Sequence, residues 1–446
     1  MAMTRVNHSR RSTPSFDERV EMRKVVVAVI GLGYVGLPLA MGYTGRGFQV
    51  VGVDVDAGKV ADVNAGRSYI RDVSASDVAQ AVQAGRLSAT TSYAPLKGAD
   101  VIFVCVPTPC TRNKEPDTSR IEEAARGIAS HLRRGQLIIL RSTSYPGTTE
   151  ELMKPILERN GLRVGRDVFL AFAPERVDPG RKDYTIHTTP VVVGGVDPES
   201  TRRAALVLGK VADRVITVSS PAAAEMTKLL ENVFRNVNIA LVNQLAMLCD
   251  RMGLNVWEIV DAAASKPYGF LPFHPGPGVG GHCIPVDPYY LAWKAREFDF
   301  HMDFIELAAR VNDEMPYHVA QKALLLMNGW QGGAAPRRVL ILGVTFKRDI
   351  EDSRDSPALK IIQLLAAANV RVSYHDPHVP VLAVNEHIYR SVPLTEQVLR
   401  SHDCVMIVTD HSIIDYAFVV KHARRILDTR NVTRSIQQGR EKIVHI

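Results

Sequence analysis

No apolar run in this chain approaches the roughly 18 residues that a membrane span needs. The longest, such as VVVAVI and VIFVCV, are strand-sized, so no transmembrane helix and no membrane partner are expected. The opening stretch MAMTRVNHSRRSTPSFDERVEMRK has basic residues but no apolar segment of a secretory signal, and residues 1–23 are expected to form a disordered basic tail. Cysteine is sparse. Cys105, Cys110, Cys249, Cys283 and Cys404 make an odd number with no C-x-x-C spacing, which argues against a disulfide framework and points to a reducing, cytoplasmic compartment. His282 beside Cys283 has no second cysteine at ligand spacing, so no metal is expected. Net basic charge is also small outside the tail: the formal net charge is +7, and residues 1–24 supply +3 of it. A basic patch with interleaved aromatics is missing, which argues against a nucleic-acid partner and suits an enzyme that handles anionic small molecules. Heptads, low-complexity tracts and short repeats are absent as well.

What is present is enough chain for two or three domains, 446 residues. VVVAVI stops at GLGYVG, passes into LPLAMGYTGRG and is followed by the strand-like QVVGVDVD, which together are the length of a parallel βαβ crossover. Short strands recur at DVIFVCVPTP, GQLIILRSTS, DVFLAFAPE and TPVVVGG, separated by helical segments, so residues 24–215 are expected to form a doubly wound α/β domain. A long helix is predicted from Pro221, opened by Ser219 and Ser220 and stopped at Gly253, within a central helical region 216–330. Strands RVLILG, VRVSYHDP, DCVMIVTDH and RRILDTR then mark a second, smaller α/β domain over 331–446. The fold class is therefore α/β, with two Rossmann-like doubly wound domains joined by a long central helix.

Several local patterns carry chemistry. GLGYVG fits G-x-G-x-x-G, with Gly31 for the tight turn, Gly33 for approach of a pyrophosphate and Gly36 for close helix packing. Asp54 follows Gly31 by 23 residues, at the end of the next strand. A carboxylate there accepts hydrogen bonds from a ribose 2′-hydroxyl and repels a 2′-phosphate, so NAD is expected rather than NADP. On the long helix Met226, Leu229, Leu230, Val233, Val237 and Leu241 form an apolar face, opposed by a polar stripe of Glu225, Lys228, Asn232, Arg235 and Asn236. That stripe could be a solvated face or the border of a cleft. Glu175, directly after a strand in APERVDPG, could be a turn residue or a site residue. In GPGVGGHCIPVDP, residues 276–288, four glycines surround Cys283, which could be a nucleophile or a small buried group.

GLGYVGLPLA, CVPTP, RSTSYPGTT, APERVDPG, EMTKLLENVFRNVNIALVNQ, PGPGVGGHCIPVDP and GVTFKRDIEDSRDSP occur in the order found in the UDP-sugar 6-dehydrogenase family, which this chain resembles from about residue 24 to its end. The resemblance implies oxidation of the C6 hydroxyl of a UDP-hexose to a carboxylate with two NAD molecules. It implies Cys283 as nucleophile, Lys228 and Asn232 as oxyanion stabilisers that also touch the substrate, and Asp287 and Glu175 as aids to proton transfer through water, with Thr143 close by. Tyr34, Val35, Asp54, Lys59, Thr108, Thr143 and Arg354 match NAD-contacting positions. Arg176, Val177, Arg235, Gly280, Phe346 and Lys347 match substrate-contacting ones, and Arg430 in LDTRN matches a C-terminal sugar or phosphate contact. Where UDP-glucose enzymes of the family typically read NPEFLxEG, this chain reads APERVDPG, so Pro179 replaces a glutamate and the chain looks closer to the UDP-N-acetylhexosamine branch. A homodimer or higher homo-oligomer through the long helix is expected. The rival readings are a β-hydroxyacid dehydrogenase-like two-electron oxidoreductase, which needs neither Cys283 nor a third domain, and a catalytically silent NAD-binding protein.

Overall fold

The computed structural model describes residues 14–70, 72–111, 113–177, 184–281, 284–328 and 336–446. The chain divides into two compact units, 1–111 with 116–228 and 112–115 with 229–446. In the first, the six predicted strands join two that the sequence patterns did not mark, Leu87–Thr90 and Val215–Thr217, in one sheet: β1 (Val26–Ile30), β2 (Gln49–Val53), β3 (Leu87–Thr90), β4 (Val101–Val104), β5 (Leu137–Leu140), β6 (Phe169–Phe172), β7 (Val191–Gly195) and β8 (Val215–Thr217). Their spatial order is 3-2-1-4-5-6-7-8, parallel except where β6 meets β7. β1, β4, β5 and β6 are buried almost throughout, as β-branched and aromatic runs sandwiched by helices must be. The order doubles back at β1 and β4, which places ligand-binding loops at the carboxyl ends of these strands.

The expectation of a disordered tail over residues 1–23 is corrected for residues 14–23, residues 1–13 lying outside the described ones. Phe16–Glu21 is a helix closed by a capping box, in which the Ser15 hydroxyl accepts from the Glu18 amide and the Glu18 carboxylate accepts from the Ser15 amide. Val20 is buried, and Asp17 and Glu21 pair with Arg202 and Lys210. The S-x-x-E signature in SFDE was present in the sequence and reads as a helix start.

In the second unit, β9 (Arg338–Leu342), β10 (Arg371–His375), β13 (Cys404–Ile407), β14 (Ile426–Asp428) and β15 (Ile443–His445) form a parallel sheet in the order 10-9-13-14-15, while β11 (Val381–Val384) and β12 (His387–Arg390) make a separate hairpin. The division between the two units falls inside the long helix Pro221–Met252, between Lys228 and Leu229.

That helix is turned opposite to the usual amphipathic arrangement. Its polar residues Glu225, Lys228, Asn232, Asn236 and Asn243 are buried, whereas Met226, Leu230, Phe234, Leu241, Leu245, Leu248 and Met252 are exposed. Asn243 accepts from the Gly276 amide and donates to Asn312, which donates in turn to Asn236, so these buried amides satisfy one another. The reading of the stripe as a solvated face does not hold.

Candidate active site

The G-x-G-x-x-G turn requires glycine at Gly31 and Gly36 for the backbone reasons that the pattern predicts. Gly31 adopts φ +88° and its amide donates to the Val53 carbonyl at 2.7 Å, joining the end of β1 to the end of β2. A methyl group on Gly36 would lie 1.8 Å from the Gly31 carbonyl oxygen, so only glycine allows the helix Gly36–Gly45 to start this close to the turn. A methyl on Gly33 would meet nothing within 4 Å. No protein neighbour dictates glycine there, and the space suits a phosphate at a helix N-terminus. Tyr34 and Val35 continue this turn, Tyr34 being exposed. The Asp54 carboxylate accepts from the Leu32 amide at 2.7 Å and the Asp56 amide at 2.9 Å, and the Lys59 ammonium stands 3.9 Å away. The turn, the open space and the acidic strand end fit NAD.

Further along the same sheet edge, Thr108 follows β4, Thr143 follows β5, and Glu175, Arg176 and Val177 follow β6. Glu175 is held by Arg141, a residue that pattern reading passed over although it stands at the same edge. The Arg141 guanidinium donates to Glu175 Oε2 at 2.6 Å, and the amides of Arg176 and Val177 donate to Oε1 at 2.8 and 2.7 Å. Burial would push this carboxyl up, but Arg141 and the two amides override it and hold it below its ordinary value of 4.5. Glu175 is therefore an anion, able to orient or accept a proton from water and poorly suited to donate one. Arg176 donates to the Pro190 carbonyl at 2.7 Å. Glu225, on the first turns of the long helix, accepts from the Gly147 and Thr149 amides and the Thr149 hydroxyl, fixing the segment that carries Thr143. Lys228 follows one turn later and is buried.

In the second unit, the Asn232 amide nitrogen donates to the Asp287 carboxylate, and Arg235 donates to the Asn232 carbonyl oxygen. Asn232 and Asp287 are both buried, the latter at the start of the helix Asp287–Ala295. The glycine-rich segment before Cys283 packs on residues that the sequence marked for substrate. A methyl on Gly280 would come within 2.7 Å of Phe346 Cβ, and one on Gly276 within 2.8 Å of the Arg430 guanidinium. Gly280, Phe346 and Arg430 are thus neighbours through this segment, and Lys347 lies next to Phe346. Arg430 donates from Nε to the Val408 carbonyl at 2.9 Å. Arg354 is exposed and grips Asp352 through two hydrogen bonds, of 2.9 and 2.8 Å. His282 and Cys283 lie outside the described residues, as does Pro179.

Three family models match the chain in order: the NAD binding domain of the UDP-glucose/GDP-mannose dehydrogenase family over residues 25–211, its central domain over 222–314 and its UDP binding domain over 340–435. The UDP-N-acetyl-D-glucosamine 6-dehydrogenase of Pseudomonas aeruginosa is 38% identical over 400 residues, covering 88% of this chain and 92% of its own. The UDP-N-acetyl-D-mannosamine dehydrogenase of Pyrococcus horikoshii is 35% identical over 422 residues, covering 93% and 97%. A solved structure of the UDP-D-ManNAc dehydrogenase of Pyrococcus horikoshii superposes with a TM-score of 0.85 at 32% identity, covering 94% of this chain and 98% of that one.

Proposed function

This chain belongs to the UDP-glucose/GDP-mannose dehydrogenase family, and from that premise we propose that it oxidises the C6 hydroxyl of a UDP-N-acetylhexosamine to the uronic acid through a covalent Cys283 intermediate. It is an NAD-dependent enzyme of the UDP-sugar dehydrogenase kind. The observation that carries the proposal is the inward polar stripe of the long helix, with Asn232 bonded to Asp287 four residues after Cys283. A buried cation costs folding free energy unless opposite charge develops against it, and Lys228 stands one helical turn from the fixed Asn232 amide. The names of the relatives favour an acetylated sugar, as does APERVDPG.

Bound NAD supplies a two-electron acceptor for hydride at each oxidation stage. Gly31, Gly33, Tyr34, Val35, Gly36, Asp54, Lys59, Thr108, Thr143 and Arg354 are the residues proposed to hold it. The C6 alcohol loses a hydride and passes its hydroxyl proton to water beside the Asp287 and Glu175 carboxylates to become an aldehyde, which Arg176, Val177, Arg235, Gly280, Phe346, Lys347 and Arg430 retain through the sugar and its phosphates. Cys283 Sγ adds to the aldehyde carbon while the thiol proton neutralises the new alkoxide. Loss of a second hydride and that proton leaves a thioester. Water, oriented by Asp287 and the Glu175 anion, adds to the thioester carbonyl, and collapse releases the carboxylate and returns the thiol. Lys228 and Asn232 stabilise oxygen charge at each tetrahedral stage.

The exposed apolar stripe Met226, Leu230, Phe234, Leu241, Leu245, Leu248 and Met252 fits a second copy of this chain in a homodimer, because a two-fold axis brings the same stripe to itself. The sparse, odd-numbered cysteines without C-x-x-C spacing support a cytoplasmic setting for the reaction. Among the described residues no helix is long and apolar enough to cross a membrane.

The test is a panel of UDP-glucose, UDP-N-acetylglucosamine and UDP-N-acetylmannosamine with the product identified by mass. The proposal expects an acetylated sugar to give the highest kcat/KM and a uronate product. UDP-glucose outpacing both would move the chain to the other branch.

A further inference from the structure

The two units carry the same acidic device, and in the second a histidine is bonded to it. The Asp54 carboxylate at the end of β2 accepts from the Leu32 amide at 2.7 Å and from the amide two residues on, at 2.9 Å. At the end of β10, Asp376 accepts from the Val344 amide at 2.7 Å and from the amide two residues on, His378, at 2.8 Å. Gly31 and Gly343 precede the two donor residues with φ of +88° and +80°, each donating to the carbonyl of the residue before its aspartate. In a dinucleotide fold this aspartate receives a ribose. In the second unit His411 occupies that position: its Nε2 lies 3.0 Å from Asp376 Oδ2, and both side chains are 0% exposed.

The hydrogen bonds fix the ring's proton. The Asp349 amide can only donate, and it points at His411 Nδ1 at 3.0 Å, so Nδ1 is the acceptor and Nε2 carries the hydrogen. Nε2 donates to Asp376 and lies 3.3 Å from the Thr345 hydroxyl, which donates onward to the Lys347 carbonyl at 2.8 Å. Val344, Thr345, Lys347 and Asp349 are thus all tied to one pair. The segment they define carries Phe346 and Lys347. Asp349, His378 and His411 also place three possible cation ligands within 4.8 Å of one another. The Nδ1 lone pair that a cation would need is already engaged by the Asp349 amide, so the cluster reads as a hydrogen-bonded lock.

We propose that Asp376 and His411 are positioning residues that convert the acidic strand end of a dinucleotide fold into a latch, setting the Val344–Asp349 segment and thereby the affinity for the UDP-sugar. This rests on the reading of Phe346 and Lys347 as substrate contacts. Burial would push the Asp376 carboxyl up, but the His411 hydrogen bond and the Val344 and His378 amides hold it below its ordinary value. It is therefore an anion that needs the donors it has.

Steady-state kinetics of full-length His411→Phe and His411→Gln test the latch. Phenylalanine fills the space and removes both ring contacts, whereas glutamine restores a donor towards Asp376. His411→Phe is expected to raise KM for the UDP-sugar about tenfold or more, with kcat and the KM for NAD within about twofold of wild type. His411→Gln should recover most of the loss, and the NAD constant reports that each variant has folded. An unchanged sugar KM in both variants beside an active wild type overturns the latch alone. Zn2+ binding that His411→Gln abolishes also overturns it. A wild-type enzyme that turns over no UDP-sugar refutes the underlying reading and the latch with it.

Discussion

Asn232 and Asp287 stand 55 residues apart in the chain and share a buried hydrogen bond from amide nitrogen to carboxylate. With Arg235 donating to its carbonyl oxygen, the Asn232 amide has one defined orientation and cannot flip without losing both partners. A preorganised donor of this kind does its work when negative charge develops nearby. Asn232→Leu and Lys228→Met should each lower kcat by roughly 10²-fold or more, while KM for NAD stays near the wild-type value. Near-normal kcat in Lys228→Met would return the lysine to a structural role.

Cofactor choice depends on the Asp54 carboxylate. Measured kcat/KM should favour NAD over NADP by roughly 10²-fold, the worth of a charged hydrogen bond and its repulsive counterpart. Asp54→Asn keeps an acceptor for the Leu32 amide but removes the charge, so the ratio should fall. Equal values in the wild type would remove the argument.

The Arg141–Glu175 pair predicts a pH dependence with a definite sign. Glu175 has its carboxyl pKa lowered in the folded state, so its contribution is present above the ordinary value of 4.5 and is lost as pH falls through the lowered value. In Arg141→Met the carboxylate keeps its burial and loses its cation, which costs about 3–5 kcal/mol near neutral pH. Thermal melts should show the variant's deficit at pH 7 shrinking as pH falls through the carboxyl pKa of the folded variant, which burial without Arg141 sets above that of the folded wild type, because a protonated Glu175 no longer needs the cation. A deficit independent of pH would show that Arg141 contributes only packing.

Self-association through the long helix can be read directly by sedimentation. Leu230 is 62% exposed and Leu248 is 51% exposed, and Leu230→Glu with Leu248→Glu should shift a wild-type dimer to monomer. A wild type that sediments as a monomer would leave the stripe without its proposed occupant.

Much of this architecture was legible because strands buried on both faces read as unbroken β-branched runs, and because the glycines of GLGYVG act through backbone geometry that any neighbour sequence would need. The facing of the long helix was not legible. Periodicity separates its polar and apolar sides, but only the surrounding chain decides which side is inward, and here Asn236, Asn243 and Asn312 make the polar side the buried one. Arg141 and His411 are single residues with no spacing rule, and they become visible only when Glu175 and Asp376 are placed beside them. Asp376 itself had a signal: it follows the strand of VRVSYHDP directly, as Asp54 follows that of QVVGVDVD, and RVLILG ahead of it ends in a glycine as VVVAVIG does.

The central claim is a four-electron oxidation that passes through Cys283, and the count of NADH formed per UDP-sugar consumed tests it most directly. Two NADH per uronate are predicted for the wild type. For Cys283→Ala, which cannot form the thioester, turnover to the acid should be lost. One NADH per sugar with an aldehyde as product would identify a simple two-electron dehydrogenase, none would identify a binding protein, and full conversion to the acid by Cys283→Ala would contradict the covalent route.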